Sequence, residues 1–338
     1  MKTTLDVAET AHNNAQVDRA VAAASRAAEG LLHRVFYPRV ETKLFNWPNG
    51  QYARSWRLWL GQNELISVSS LSSGGVGIPE ANYFLEPNEF GPPYDRVEID
   101  LDSASAFSSA GTHQRAISIT GIWGYADDNT AVGALTEALD ASEVSVDVDG
   151  ETAAQVGVGS VLKVDGERML VTARTTLTTG QTLQSPVGDV DNVVRIPVSD
   201  GSAFAVGEVI LVDTEKMLVT DVSGNTLTVV RAWDGSVLAS HDGSTIYAYR
   251  ALTVARGALG TTATAHNTGS AVRRWDPPAL LTSLVIAEAI TILEHGAGGY
   301  ARSSRQGETE FPATGRGLTD LRAMARAELG RQARLAAA

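Results

Sequence analysis

Two histidines, His241 and His266, recur at equivalent positions of a repeated pattern and are the side chains best suited to acid–base chemistry or metal binding. The pattern is Arg-x-x-x-Gly-[Ser/Thr]-x-x-x-x-His, and it begins at Arg231 in one copy and at Arg256 in the other. A metal site needs further ligands, and neither a third histidine nor a carboxylate at ligand spacing completes one. We therefore expect each ring to donate a hydrogen bond across a loop that the repeat builds twice, with the arginines sharing that role.

The acidic run Asp147–Glu151 is faintly similar to a calcium-binding loop. It lacks the third oxygen ligand before the glycine and the glutamate that ends a twelve-residue loop. Five Asp-Gly pairs occur in the same region, at 149–150, 165–166, 200–201, 234–235 and 242–243. Because glycine supplies the positive φ of tight turns, we interpret these pairs as hairpin turns and predict no metal and no cofactor.

Motifs typical of enzymes are missing from the sequence. A phosphate-binding loop, a nucleophile elbow, a zincin helix and a dinucleotide-binding loop after a strand are all absent. Several carboxylates are available as a pair for sugar hydrolysis: Glu64, Glu86, Glu98, Asp100 and Asp102. Acidic residues are so abundant that this set is uninformative, and we expect no catalytic residues and no enzymatic activity.

Composition and charge limit the class of protein. The chain has 338 residues, 43% of them hydrophobic and 20% charged, which is enough for two globular domains. It contains no cysteine, which excludes disulfides and thiol chemistry. The net charge is −12, and the excess of acidic residues lies in the middle of the chain. No cluster of basic residues is available to bind nucleic acid tightly. DNA could still pass along an acidic surface, because like charges disfavour binding. With no signal sequence and no long apolar run, we expect synthesis in the cytoplasm and no membrane partner.

Periodicity predicts helices at the two ends and strands between them. Apolar residues at three- and four-residue spacing predict a helix from about Ala15 to Val35 and another from Ala279 to His295, and a final helix spans Leu318–Leu335. From Val40 to Tyr125 the sequence alternates in the manner of short strands that form hairpins. Four tryptophans in this region, for which core packing is the commoner use, are Trp47, Trp56, Trp59 and Trp123.

Residues 134–276 contain an internal repeat. The segment 158–172 reappears at 206–220 with an offset of 48 residues, and the arginine–histidine pattern repeats with an offset of 25. Alternating Val, Ile, Leu and Thr between turns predict one small barrel or sandwich made of two related halves. The resulting prediction is an α+β chain with three parts: an N-terminal helix with strands (1–133), an inserted all-β repeat domain (134–276) and C-terminal helices (277–338).

The order of motifs outside the insertion resembles that of head–tail connector (adaptor) proteins of tailed double-stranded DNA bacteriophages. The segments that carry the resemblance are Arg34–Arg39, Leu58–Leu60, Leu65–Val68, Ile78–Pro79, Tyr83–Pro87, Pro92–Tyr94, Val97–Ile99, Ile119–Tyr125 and Pro277–Pro278. The likeness covers about residues 15–126 and 277–335. Such adaptors pass directly from the Gly-Tyr strand to the proline-initiated helix, so the family does not account for the β domain placed between Ala126 and Pro277.

The resemblance implies a helical adaptor core and a structural role in the virion. It implies an oligomeric ring, usually twelvefold, that lies between the portal protein and a tail-side connector or tail-terminator protein. Double-stranded DNA would pass through this ring without specific binding. A helix rich in alanine and an acidic middle segment are compatible with such a ring.

Candidate contact residues follow from this expectation. We assign docking on the portal to the arginine-rich C-terminal helix, through Leu318, Leu321, Arg322, Arg326, Arg331 and Arg334. We assign contacts between copies in the ring to the first helix and the strands near residue 57, through Val21, Ala24, Ala28, Arg54 and Arg57. Two other classes stay open: a virion surface or carbohydrate-binding module that acts through the β domain, and a hydrolase.

Overall fold

The computed structural model describes residues 14–48, 54–109, 111–190, 192–298 and 314–331. Contacts within the chain divide it into two compact units, one formed by Met1–Asp127 with Pro277–Ala338 and the other by Asp128–Asp276. No helix among these residues is long and apolar enough to cross a membrane.

The described residues form four helices and seventeen strands. The helices are α1 (Asn14–Leu32), α2 (Gly150–Gln155), α3 (Ala279–Gly298) and α4 (Thr314–Leu329). The strands of the first unit are β1 (Arg39–Phe45), β2 (Arg57–Trp59), β3 (Leu65–Ser73), β4 (Val76–Ile78), β5 (Tyr83–Glu86), β6 (Arg96–Ile99) and β7 (Ile117–Trp123). The strands of the second unit are β8 (Asn129–Ala134), β9 (Ser145–Asp147), β10 (Val161–Val164), β11 (Glu167–Thr182), β12 (Arg195–Pro197), β13 (Val209–Val212), β14 (Glu215–Ser223), β15 (Thr226–Val230), β16 (Thr245–Ala255) and β17 (Ala271–Trp275).

The prediction of an α+β fold with a helical adaptor core is wrong. The protein is mostly β, with seventeen strands in three sheets and four helices among the described residues. The apolar helix patterns are real, but the helices pack mainly on one another, around Ala24 and Ala289. The strands between them form larger cores of their own, because their alternating side chains bury one face of each sheet.

The first unit contains a sandwich of two antiparallel sheets. One sheet has the strand order β1-β7-β3-β4 and the other has the order β2-β6-β5. Alternate residues such as Ile119 and Trp123 from the first sheet and Val97 and Ile99 from the second sheet are buried in one shared core. The opposite face of each sheet therefore points away from that core.

The helices of the first unit pack through small side chains. Ala20 and Ala24 of α1 are buried with Ala289 and Leu293 of α3, and alanine lets the two helix backbones approach closely. α4 joins them through the buried side chain of Ala325 and through Leu329.

The second unit consists of two small barrels. Barrel 1 is the circuit β8-β17-β10-β11-β16-β9, and a bridge between Leu135 and Val148 closes it. Barrel 2 is the circuit β11-β16-β13-β14-β15-β12, and a bridge between Leu183 and Val198 closes it. Each barrel has its own apolar core, so the two halves of the repeat form two barrels instead of the single one that the sequence predicts.

Barrel 2 is inserted into a hairpin of barrel 1. In barrel 2, β14 turns at Gly224 into β15, and Val219 pairs with Val229. The equivalent pair in barrel 1 is Val171 with Val254, on β11 and β16, and the whole of barrel 2 replaces the turn between them. The repeat offsets of 48 and 25 residues therefore belong to one nested duplication.

Candidate interaction surfaces and buried ion clusters

A buried ion cluster lies at one end of barrel 2. Arg231 donates from Nε to Oε1 of Glu215 at 2.7 Å and from Nη2 to Oε2 at 2.8 Å. The ring of His241 has its Nε2 atom 2.9 Å from Oε2 of Glu215 and its Nδ1 atom 2.7 Å from Oδ2 of Asp213. Arg231 also donates to the backbone carbonyls of the loops around it, including Ala239 at 2.6 Å. The cluster therefore ties several loops together.

Barrel 1 repeats this cluster with the equivalent residues. Arg256 donates to both carboxylate oxygens of Glu167, at 2.7 and 2.9 Å. Nε2 of His266 lies 3.0 Å from Glu167, and Nδ1 lies 2.8 Å from Asp165. In both barrels the glutamate is fully buried.

Each glutamate is held in its charged form. Burial alone would raise the pKa of Glu167, but hydrogen bonds from Arg256, from the backbone amides of Thr264 and Gly257 and from His266 outweigh that effect and lower the pKa to about 2. The pKa of Glu215 is lowered to about 2 for the same reasons. Both nitrogens of each histidine face carboxylates and the rings are buried, which favours a structural role over catalysis.

Sequence reasoning missed the carboxylates of these clusters. Asp213 and Glu215 lie within the repeated 15-residue segment, and Asp165 and Glu167 occupy the same positions in the other copy. The signal that could have found them is the repeated Asp-x-Glu pair, whose glutamate stands 26 residues before one histidine and 99 before the other. Because neither separation is a short ligand spacing, the sequence around each histidine does not indicate these carboxylates.

The run that is similar to a calcium loop caps a helix. Asp149 accepts a hydrogen bond from the amide of Thr152 at 2.8 Å at the start of α2, and another from the amide of Ala134 at 2.8 Å. Within the part of the chain that the structure describes, no group of three or more His, Cys, Asp or Glu side chains is placed to hold a metal ion.

The carboxylates considered for sugar hydrolysis are not brought together as an acid–base pair. Glu64 forms an ion pair with Arg34 at 3.0 Å, whereas Glu86 and Glu98 both contact Arg96. Asp100 accepts a hydrogen bond from the amide of Asp102 in a local turn.

Helix α1 and β1 border a cleft of about 400 Å³ in the first unit. Its lining mixes both charges: four Arg and Lys side chains, Arg26, Arg34, Arg39 and Lys43, lie beside three acidic ones, Glu29, Glu41 and Glu64. Glu64 forms an ion pair with Arg34, and Glu41 forms one with Arg39 at 2.7 Å. Burial raises the pKa of Glu64 more than the neighbouring Arg34 lowers it. The lining has one more basic than acidic side chain, an excess too small to favour a particular ligand.

The outer face of the three-stranded sheet carries two exposed aromatic rings and an ion-pair ladder. Its members, in two rows across the strands, are Arg57, Glu98, Phe84, Trp59, Arg96 and Glu86. We call this surface the aromatic face. Trp59 is 46% exposed and Phe84 is 55% exposed.

The charged residues of the aromatic face order one another. Glu98 contacts Arg57 at 2.7 Å and Arg96 at 2.8 Å, and Arg96 contacts Glu86 at 3.4 Å. Burial would raise the pKa of Glu98, but the hydrogen bonds from Arg96 and Arg57 outweigh it, and the pKa falls. The guanidinium groups of Arg57 and Arg96 lie 5.9 and 5.1 Å from the centre of the Trp59 ring. Tryptophan and arginine are the residues most enriched at binding hot spots.

The residues assigned to ring contacts differ in accessibility. Ala24 and Ala28 are buried within their own chain and Val21 is half-buried beside α3, so the alanine stripe is used inside the protein. Arg54 is exposed and lies 5.4 Å from the ring of Trp56, and Arg57 belongs to the aromatic face.

The residues assigned to portal docking are divided between internal contacts and solvent. Arg322 donates to both carboxylate oxygens of Glu288 on α3, at 2.6 and 2.8 Å, and Arg331 donates to the carbonyl of Gly61 at 2.7 Å. Arg326 is exposed. Leu318 and Leu321 are half-buried, and Arg334 lies outside the described residues.

Comparison with known proteins identifies no relative: no family model, no curated protein and no solved structure matches this chain.

Proposed function

We propose that this chain is a structural protein of a tailed-phage virion that assembles into a ring between the portal and the tail. The order of its sequence motifs supports the proposal, and the aromatic face is the observation that carries it. Trp59 and Phe84 are exposed, and the Trp59 ring is held beside the guanidinium of Arg96, so a partner that covers this ring loses little conformational entropy. Such a surface is typical of a protein that works by assembly.

The partners follow from the proposed position in the virion. Copies of the chain contact one another, the portal lies on one side of the ring and a tail-side connector or tail terminator lies on the other. DNA passes through without specific binding, which suits a chain with a net charge of −12 because like charges discourage sticking. No chemistry is required of the protein in this role.

Docking on the portal is proposed for the C-terminal helix. Arg326 is exposed and offers a positive charge to an acidic surface, and Met324 beside it is 57% exposed. Arg322 and Arg331 hold the helix in the first unit through Glu288 and Gly61, and thereby position Arg326.

The experiment that tests the proposed function is native mass spectrometry with negative-stain imaging of the full chain, alone and mixed with the portal of the same phage. We expect rings with a central hole, formed by the protein itself or on the portal. The variant Trp59→Ala should lose the rings and keep its thermal stability. Tyr247→Ala, which changes an exposed aromatic residue of the second unit, is the matched control and should still assemble.

A chain that stays monomeric at all concentrations and does not bind the portal would contradict the proposal. Binding of the full chain to a glycan array in that case would favour the alternative, a virion surface module that acts through the β domain.

A further inference from the structure

The two sheets of the first unit present their outer faces on opposite sides of one core. Ile119 of the four-stranded sheet and Val97 of the three-stranded sheet are buried in that core, so the side chains next to them in sequence point outward in opposite directions. The aromatic face is the outer face of the three-stranded sheet. A subunit of a ring needs two different surfaces on opposite sides, because each contact joins one surface to the other.

The outer face of the four-stranded sheet carries no charged side chain. In the strand register, its main members are Thr42 and Leu44 on β1, Ser118, Thr120 and Ile122 on β7, and Ser70 on β3. We call this surface the uncharged face. The charged residues of β1 lie on the other side of the strand, where Lys43 contacts Asn63 and the ring of Trp123. Leu44 is 53% exposed on the uncharged face.

We propose that in the ring the aromatic face of one copy packs on the uncharged face of the next copy. The proposal rests on the proposed function and names the two surfaces that form the ring contact.

The distribution of charge on the two faces favours a second copy of this chain as the partner of each face. Copies with a net charge of −12 repel one another wherever charged surfaces meet. On the aromatic face, two arginines are paired with two glutamates of the same chain. The uncharged face adds no charge, so contact between them buries no unpaired ion and brings no like charges together. The short hydroxyl side chains around Thr120 also let the rings of Trp59 and Phe84 approach the sheet closely.

Two complementary variants test this arrangement in the full chain. Trp59→Ala damages the aromatic face and leaves the uncharged face intact, and Thr120→Lys does the reverse by adding a charge. Each variant alone should be monomeric at concentrations at which the wild type assembles, and the concentration needed for assembly should rise at least about tenfold. The contact would lose its aromatic anchor in Trp59→Ala and would bury an unpaired charge in Thr120→Lys. A mixture of the two should form heterodimers and no rings, since only one pair of intact faces remains.

Cross-linking gives an independent readout because the chain has no cysteine of its own. Phe84→Cys and Thr120→Cys should each give no disulfide-linked dimer alone, a dimer when mixed and oxidised, and a ladder of oligomers when combined in one chain. Val237→Cys, at a position of the second unit that is 78% exposed, is the control and should not cross-link to Phe84→Cys.

The outcomes separate this inference from the proposed function. Two results would overturn the assignment of faces without contradicting the proposed ring. One is that rings form but the cysteines at positions 84 and 120 do not cross-link. The other is that a variant with a single cysteine forms a disulfide-linked dimer by itself. A wild-type chain that forms no ring, together with cysteine variants that form no cross-link, would overturn both.

Discussion

Arg256 donates two hydrogen bonds to the carboxylate of Glu167, at 2.7 and 2.9 Å, across 89 positions of the sequence. The whole of barrel 2 lies between these two residues. The equivalent pair in barrel 2, Arg231 with Glu215, spans only 16 positions. The longer pair therefore closes the base of the hairpin into which the second barrel is inserted.

Removing the charge of either glutamate should destabilise its barrel. Glu167→Gln leaves the guanidinium of Arg256 without its carboxylate, and breaking a buried ion pair in this way costs about 3–5 kcal/mol. Glu215→Gln should behave in the same way through Arg231. The free energy of unfolding, measured by denaturant titration, checks both variants.

The matched control for these variants is Asp242→Asn, which removes an exposed carboxylate beside His241. Its free energy of unfolding should stay within about 0.5 kcal/mol of the wild type. A Glu167→Gln variant as stable as this control would show that the ion cluster does not hold the barrel.

Stability should fall in acid because of the same two carboxylates. Each has a pKa of about 2 in the folded protein, below the usual 4.5, so the folded state favours the ionised form. The resulting contribution to the free energy of unfolding is complete above pH 4.5 and disappears as the pH falls towards 2. It amounts to about 3 kcal/mol for each glutamate. Denaturant titrations between pH 7 and pH 2 should show the loss, and Glu215→Gln should reduce its slope.

The sequence predicted the strands of the repeat but not their nesting. Alternating residues such as Leu162 and Val164, with the turn at Asp165-Gly166, indicate the hairpin of β10 and β11 locally. The prediction that every Asp-Gly pair is a hairpin turn is wrong, because Asp149 caps α2 and Asp200 caps a short 3-10 helix. The partner of Val171 is Val254, which no local pattern reveals, because a barrel fits between them. Only the two offsets, taken together, would have shown that one copy interrupts the other.

The helical core was predicted wrongly for a similar reason. The apolar pattern of α3 identifies a buried helix, yet it does not say how much of the chain packs around it. Trp59 was assigned by its strand to core packing, although it lies on the outer side of a three-residue edge strand. Alternation with a period of two assigns the side chains of a strand to two faces but does not show which face is buried. The exposure of the Trp59 ring therefore could not be predicted.

Barrel 1 should fold without barrel 2. Joining Thr175 to Ala251 through Gly-Asn removes residues 176–250 and reproduces the turn that links β14 to β15. The apolar core of barrel 1 is separate, so it should remain complete. We expect a soluble chain with cooperative unfolding and intact pairing of Arg256 with Glu167, measured by circular dichroism and denaturant titration. An aggregated or unfolded product would show that the two barrels depend on each other.

Two arginines of α4 should separate stability from docking on the portal. Arg322 is paired with the nearly buried Glu288, so Arg322→Glu should lower the free energy of unfolding by about 2 kcal/mol through the loss of charged hydrogen bonds. Arg326 is exposed, so Arg326→Glu should change it by less than about 0.5 kcal/mol. If the helix docks on the portal, Arg326→Glu should weaken portal binding in a pull-down while the fold stays intact. Wild-type portal binding by this variant would remove Arg326 from the interface and leave the helix with a role only in folding.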